Sequence, residues 1–201
     1  MSKVGYLGPK GTFTEIAAQE YRGSVDEYLP YCDIKGLVKS LVEEEIDRAV
    51  VPIENSLQGA VTLTLDLLLK YDLMIKEEVI IPITHSLLVN EGIKDLTRLD
   101  HIVSHPQALA QCRSFIDSSL DCKLHTAEST AEAIQKVAEA GPGWGAVGNY
   151  HAADYYNLAV LKEDIQDSEE NWTRFVILAN EDNIPTGNDK TSIICSPKDD
   201  H

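Results

Sequence analysis

Positive charge is scarce in this chain. Its 17 Lys+Arg stand against 33 Asp+Glu, a formal net charge of −16 at neutral pH. That excludes a nucleic-acid binder that tracks phosphates, which needs a basic stripe. It equally excludes an anionic membrane surface as partner. Long apolar runs are lacking too. A run such as Ile80-Ile81-Pro82-Ile83 is far too short to span a bilayer. The first residues, Met1 to Pro9, carry no apolar signal core and no small-residue cleavage site. Cys32, Cys112, Cys122 and Cys195 are scattered with no CxxC, so they read as reduced small hydrophobes of a cytoplasmic protein. In that setting the sequon-like Asn171-Trp172-Thr173 has no bearing on glycosylation. There is no GxGxxG, P-loop, GxSxG or metal-ligand cluster, so nucleotide and metal chemistry are unsupported and no cofactor is expected.

What is present describes a folded protein. The 201 residues are 43% hydrophobic and 25% charged, close to globular averages. A chain of this size buries roughly 70% of its unfolded surface and needs no disulfides. Short β-rich runs alternate with helical patterns. Lys3–Leu7, Asp26–Tyr31 and Ala49–Pro52 read as strands, and Thr12–Tyr21, Ile34–Glu44 and Val61–Tyr71 as helices. Met74–Val89 then reads as extended, with no room for a helix. The alternation resumes with strands at Ile102–Ser104, Lys123–Thr126 and Gly145–Gly148, and helices at Pro106–Ser118, Ser129–Ala140 and near His151–Tyr156. Ala159–Asp164 and Trp172–Ala179 close the series as strands. This order predicts an α/β fold of two lobes, each a mostly parallel sheet with flanking helices, and a cleft between them. Lobe 1 is expected over 1–78 plus 165–180 and lobe 2 over 79–164. Residues 181–190 read as a linker, and 191–201 as the truncated start of another domain.

Several helix starts carry polar caps just beyond the carboxyl ends of strands, where ligands bind in open α/β sheets. Thr12-Phe13-Thr14-Glu15 and Ser129-Thr130-Ala131-Glu132 are capping boxes, and Ser104-His105-Pro106-Gln107 resembles a third. Glu54-Asn55-Ser56 sets a carboxylate, an amide and a hydroxyl on successive residues after a buried strand. Helix-start N–H groups attract carboxylates, so an acidic protein can bind a small dianion this way. The ordinary alternative for each is a plain cap or a solvated loop. For His105 it is a capping neighbour, and for Arg174 a structural salt bridge.

Taken in order, these motifs resemble the prephenate dehydratase family. The resemblance is carried by Gly8-Pro9-Lys10-Gly11-Thr12-Phe13, by Pro52-Ile53-Glu54-Asn55-Ser56 with Gly59, and by His85 in Thr84-His85-Ser86. It continues through Ser104-His105-Pro106-Gln107 with Gln111-Cys112, Glu128-Ser129-Thr130, Gly148-Asn149 and Asn171-Trp172-Thr173-Arg174-Phe175. It spans residues 3–180.

The resemblance implies a two-lobed fold like type II periplasmic binding proteins, with the active site in the cleft. It implies conversion of prephenate to phenylpyruvate without a cofactor, and a cytoplasmic homo-oligomer, dimer or tetramer. Thr173 is the implied essential hydroxyl, with Glu54, Glu128 and His105 as candidate proton sources. Thr12, Phe13, Asn55, Ser56, Ser104, Gln107, Gln111, Ser129, Thr130, Asn171 and Phe175 are implied to hold substrate, and Arg174 with the helix starts to hold its carboxylates. A C-terminal ACT regulatory domain is usual, so phenylalanine is expected as an effector only of a longer chain. The alternatives are an arogenate dehydratase, or a non-catalytic anion-binding module of the same fold.

Overall fold

Along β1 (Lys3–Leu7) the middle residues are buried on both faces, the pattern of a parallel strand covered by helices on each side. Val4 and Tyr6 pack with Ala17 and Ala18 of α1 (Phe13–Gln19). The other face carries Gly5, whose missing side chain makes room for Leu37; an added Cβ would lie 2.5 Å from its Cδ1. Leu37 belongs to α2 (Ile34–Val42), which Asp33 caps through the Gly36 N–H at 2.8 Å. Leu37, Val38 and Leu41 form its buried stripe against Ala49 and Val51 of β3 (Arg48–Asn55). Each such side chain contributes about 1.5–3 kcal/mol of hydrophobic stabilisation.

The structure, a computed structural model, describes residues 1–193. Residues 194–201, on which the expected run Thr191–Cys195 and the further domain at 191–201 depend, lie outside the described residues. The first lobe also contains β2 (Glu27–Tyr31), β4 (Gly59–Ala60), α3 (Thr62–Lys70), β5 (Met74–Pro82) and β11 (Trp172–Ala179). The second contains β6 (Ser86–Asn90), β7 (His101–Ser104), α4 (Pro106–Gln111), α5 (Arg113–Ser119) and β8 (Lys123–Thr126). It is completed by α6 (Thr130–Glu139), β9 (Trp144–Gly148), α7 (Ala152–Tyr156) and β10 (Leu158–Lys162). No helix among the described residues is long and apolar enough to cross a membrane.

The α/β architecture with two sheets is as expected, but the sheets are mixed rather than mostly parallel in their pairing. The strand orders are β2-β1-β3-β11-β5, with β4 hairpinned onto β3, and β10-β6-β9-β7-β8. β11 pairs antiparallel with both β3 and β5, and β6 antiparallel with both β10 and β9. In each sheet one interior strand is therefore reversed while the four others of the main path share a direction. The reversed strand is in both cases the one that enters from the other lobe, so it arrives pointing the opposite way.

The crossings are short. β5 stays paired with β11 through Pro82, so the lobe boundary moves from the expected 79 to Ile83–His85. Ile165 packs in the core of the second lobe, so the return lies at 166–171. The two crossing segments are bonded side by side: Ile83 N to Asn171 O at 2.8 Å, and His85 N to Gln166 Oε1 at 2.8 Å. The expected helix Pro106–Ser118 is two helices, broken at Cys112. The break is made by the returning segment. Asp167 N donates to Gln111 O at 2.7 Å, and the Asp167 carboxylate accepts from Ser114 N at 3.1 Å.

The lobes touch at Gly11, which has φ +84° and whose added Cβ would lie 2.6 Å from the Ala152 Cβ. Asn149 Nδ2 donates to Gly11 O at 3.3 Å. Beside it the buried Glu15 carboxylate accepts from Gly11 N, Tyr6 Oη and, across the cleft, Tyr155 Oη. Gly11→Ala should therefore both strain the backbone and wedge the lobes apart. We expect a loss of about 1–3 kcal/mol, read as a drop of roughly 2–10 °C in Tm. An unchanged melting curve would contradict the close approach.

Candidate active site

β3 ends at Asn55 and β11 begins at Trp172, and the antiparallel register sets Asn55 opposite Thr173. Both are buried. Asn55 Nδ2 lies 2.9 Å from Thr173 Oγ1, 3.0 Å from Asn171 Oδ1 and 3.0 Å from Trp172 O. A side-chain amide has two hydrogens, so three acceptors compete for them. Thr173 Oγ1 is used here as an acceptor, and its own proton has no acceptor among the described residues. Accepting a bond polarises the hydroxyl and makes it a better donor. The other end of the same amide is fixed. Asn55 Oδ1 accepts from the backbone N–H groups of Leu57 and Gln58, each at 3.0 Å. Ser56 zips the strand end shut, its N donating to Trp172 O and its Oγ accepting from Trp172 N at 3.0 Å.

Beneath this pair lie the crossing segments. Gln111 Oε1 accepts from Asn171 Nδ2 at 3.3 Å and from His85 Nε2 at 2.8 Å. That network assigns the proton of His85 to Nε2. Its Nδ1 is buried with no partner among the described residues. Burial pushes the His85 pKa down, outweighing the opposing effect of the Gln111 bond, so the ring is neutral near pH 7. The ring of Phe13 stands edge-on to His85, centroids 6.4 Å apart.

Successive strand residues project to opposite faces, which separates Thr173 from Arg174 and Asn55 from Glu54. On that other face Arg174 Nη2 meets Glu54 Oε2 at 2.8 Å, and Nη1 lies 3.6 Å from Glu78 Oε2. Lys190 pairs with the same Glu78. Arg174 is therefore in a structural ion pair, and Glu54 is not aimed at Thr173. The expected roles of Arg174 as carboxylate clamp and Glu54 as proton source do not fit this geometry. Phe175, expected at the substrate, is 2% exposed and packed in the core beside α1. Ser104 is fully buried, its Oγ donating to Val147 O at 2.5 Å, so its proton is committed to the second sheet. The Thr12 hydroxyl is likewise occupied, donating to Leu7 O at 3.0 Å and capping α1 through Glu15 N at 3.3 Å.

On the second lobe His105 Nδ1 accepts from Gln107 N at 3.3 Å, the capping role that its position beside Pro106 allowed. His105, Pro106, Thr126, Glu128, Glu132 and Lys136 line a depression of about 220 Å³ between α4 and α6. Ser129 caps α6 through Glu132 N at 3.0 Å, with Thr130 as the first helical residue. Across the cleft mouth Gln58 Nε2 donates to Gln107 Oε1 at 2.6 Å. The structure thus gathers Asn55, Ser56, Asn171, Thr173, Gln111 and, through Gln58, Gln107. His105 and Glu128 line the second-lobe depression, with His105 accepting from the Gln107 N–H. Gln58, Glu15, Asn149 and Tyr155 were missed as parts of the cleft. Glu15 is visible as the far end of a capping box and Gln58 lies in the polar run after the strand that ends at Asn55, whereas Tyr155 carries no sequence signal.

The prephenate dehydratase family model matches residues 4–183. A bifunctional chorismate mutase/prephenate dehydratase of Aquifex aeolicus is 42% identical over 200 residues, 98% of this chain and 54% of that protein. Arogenate dehydratase 2 of Petunia hybrida is 39% identical over 198 residues, 96% of this chain and 49% of that protein. The crystal structure of an Arthrobacter aurescens prephenate dehydratase in complex with L-Phe matches with a TM-score of 0.82 at 32% identity, over 94% of this chain and 62% of that one. The chain spans about half the length of the curated relatives it matches.

The depressed pKa of His85 predicts a pH dependence of folding. Above the ordinary value of 6.5 both states hold a neutral ring and the group is silent. Below it the unfolded chain takes up a proton that the folded protein refuses, so stability falls with falling pH until the folded pKa is passed. Denaturant midpoints from pH 7.5 to 5 should therefore decline more steeply for the wild type than for His85→Gln. Parallel declines would show that His85 titrates normally.

Proposed function

The chain belongs to the prephenate dehydratase family, and we propose that it converts prephenate to phenylpyruvate, carbon dioxide and water. In this reaction the bond between the ring and its carboxylate breaks and releases carbon dioxide. The freed electron pair moves through the cyclohexadiene and expels the hydroxyl across the ring, which leaves as water after taking up one proton. Aromatisation drives the step.

The observation that carries this reading is the Thr173 hydroxyl: it accepts from Asn55 and its own proton has no acceptor among the described residues. A threonine is too weak an acid to surrender that proton outright. It acts as a positioned donor to the departing hydroxyl, preorganised by Asn55 before charge develops. The net proton comes from water or from the depression holding His105 and Glu128, since Glu54 is taken by Arg174. Asn55 is held at both ends and so cannot follow the substrate, and the crossing segments that carry His85 and Asn171 form the floor. With Arg174 in an ion pair, the two carboxylates of the substrate are met by N–H groups and neutral side chains. Ser129 and Thr130 stand at the start of α6, the N-terminal end of a ten-residue helix.

The same reading makes the enzyme a cytoplasmic homo-oligomer, with phenylalanine an effector only where a regulatory domain follows; the family likeness supports this.

Turnover is tested by mixing the protein with prephenate and, separately, with arogenate while following product absorbance. Prephenate should be consumed; consumption of arogenate alone would make it an arogenate dehydratase, and of neither a binding module. Thr173→Val removes the hydroxyl and keeps the shape, and should lower kcat by roughly 10²-fold or more with little change in KM. Thr173→Ser should retain measurable activity. A well-folded Val variant at the wild-type rate would make Thr173 structural.

A further inference from the structure

We infer that Gln58 is a positioning residue, through which the orientation of the Thr173 hydroxyl depends on the docking of α4 against the first lobe. Its kinetic consequences rest on the dehydratase reading; the coupling itself is a property of the fold.

Helix α4 presents Gln107 and Gln111 four residues apart, a spacing that sets both on one helical face. Each reaches a partner outside the second lobe. Gln107 Oε1 accepts from Gln58 Nε2 at 2.6 Å, and Gln111 Oε1 accepts from Asn171 Nδ2 at 3.3 Å. Both partners are themselves bonded to Asn55. Gln58 N donates to Asn55 Oδ1, and Asn171 Oδ1 accepts from Asn55 Nδ2, each at 3.0 Å. Through the Gln58 backbone N–H and the α4 backbone these five residues close a ring that crosses between the lobes, and Thr173 hangs from it at Asn55.

The position of Gln58 is set by the turn that joins β3 to β4. Asn55 pairs with Gly59 and Glu54 with Ala60, and Gly59 supplies the positive φ of +78°. Gln58 itself is exposed at the tip of that turn, outside the apolar cores. Its side chain serves the bond to Gln107 rather than packing.

The consequence lies in how Asn55 divides two hydrogens among three acceptors. While the turn is held, Asn55 Oδ1 is pinned and one hydrogen reaches Thr173. When the link to Gln107 is cut the turn loosens, and the amide rotates to spend both hydrogens on Asn171 Oδ1 and Trp172 O. Thr173 then loses the donor that polarises it.

The test compares wild type with Gln58→Leu, Gln107→Leu, the double variant and Gln58→Glu. Two readouts are used: steady-state kinetics on prephenate, and the side-chain amide NMR signals of Asn55 without substrate. Each single Leu variant should lower kcat about three- to ten-fold, the scale of one neutral hydrogen bond, with KM within about two-fold. The double variant should cost no more than either single one, because the same bond is cut. Gln58→Glu keeps the reach, since the Gln107 amide can turn to donate, and should retain most activity. In both Leu variants the Asn55 amide signals should shift and exchange faster with solvent. Wild-type kcat with unmoved Asn55 signals, or multiplying effects in the double variant, would overturn the inference and leave the dehydratase reading intact. A wild type inert toward prephenate would instead sink that reading, and the Asn55 signals would still decide the coupling.

Discussion

Asn55 has too few hydrogens for its acceptors, and the cleft is arranged around that shortage. An amide with two hydrogens that is offered three oxygens leaves one incompletely served, and its rotation decides which. Here rotation is prevented from the other end, by two backbone N–H groups of the following turn. Everything that fixes the turn therefore fixes which oxygen is served: the hairpin onto β4, the bond to Gln107, and the crossing segment that brings Asn171 within reach. A hydroxyl that must donate at one moment of a reaction is best supplied with a donor of its own beforehand, because that arrangement needs no reorganisation later.

The sheet topology serves the same end. Each lobe accepts one reversed strand from its neighbour, and that strand lies inside the sheet rather than at its edge. β11 is consequently bonded on both sides, to β3 and β5, which holds Thr173 against Asn55 with the stiffness of a central strand. The register shift between Arg174 and Phe175 lies one residue beyond. The extra residue, Ile53, is on β3, so Thr173 and Phe175 keep the same face of β11, the first at the cleft end of the strand and the second in the core beside α1.

Much of this was legible from periodicity and caps. Lys3–Leu7, Lys123–Thr126 and Trp172–Ala179 are strands over the residues read from their patterns. Local signals could not show what a distant segment does. The break at Cys112 comes from Asp167, more than fifty residues later in the chain. The reversed strands follow from the lobe crossings and leave no mark on residue alternation. In the site, Asn55, Asn171 and Thr173 were grouped by the family resemblance rather than by periodicity or caps. The separation of Arg174 from Thr173 was also implicit, since neighbours on a strand cannot share a face. Phe175 and Ser104 belong to the cores for the same kind of reason: burial is decided by what packs above a strand, which a single sequence does not display.

The commitment of Arg174 bears directly on the chemistry. An acidic protein that binds a dianion would be expected to aim its few cations at it. Yet Arg174 lies between Glu54 and Glu78, and Lys136, beside the second-lobe depression, pairs with Glu132 at 2.8 Å. For the proposed decarboxylation this is an advantage. A full positive charge on the departing carboxylate would stabilise the ground state more than the transition state, in which that charge is leaving, and would raise the barrier. In the proposed reaction, partial charges from N–H groups would hold that carboxylate with a weaker grip. Under the proposed reaction, committing Arg174 and Lys136 to carboxylates of the scaffold favours the state in which the ring carboxylate is losing its charge as carbon dioxide.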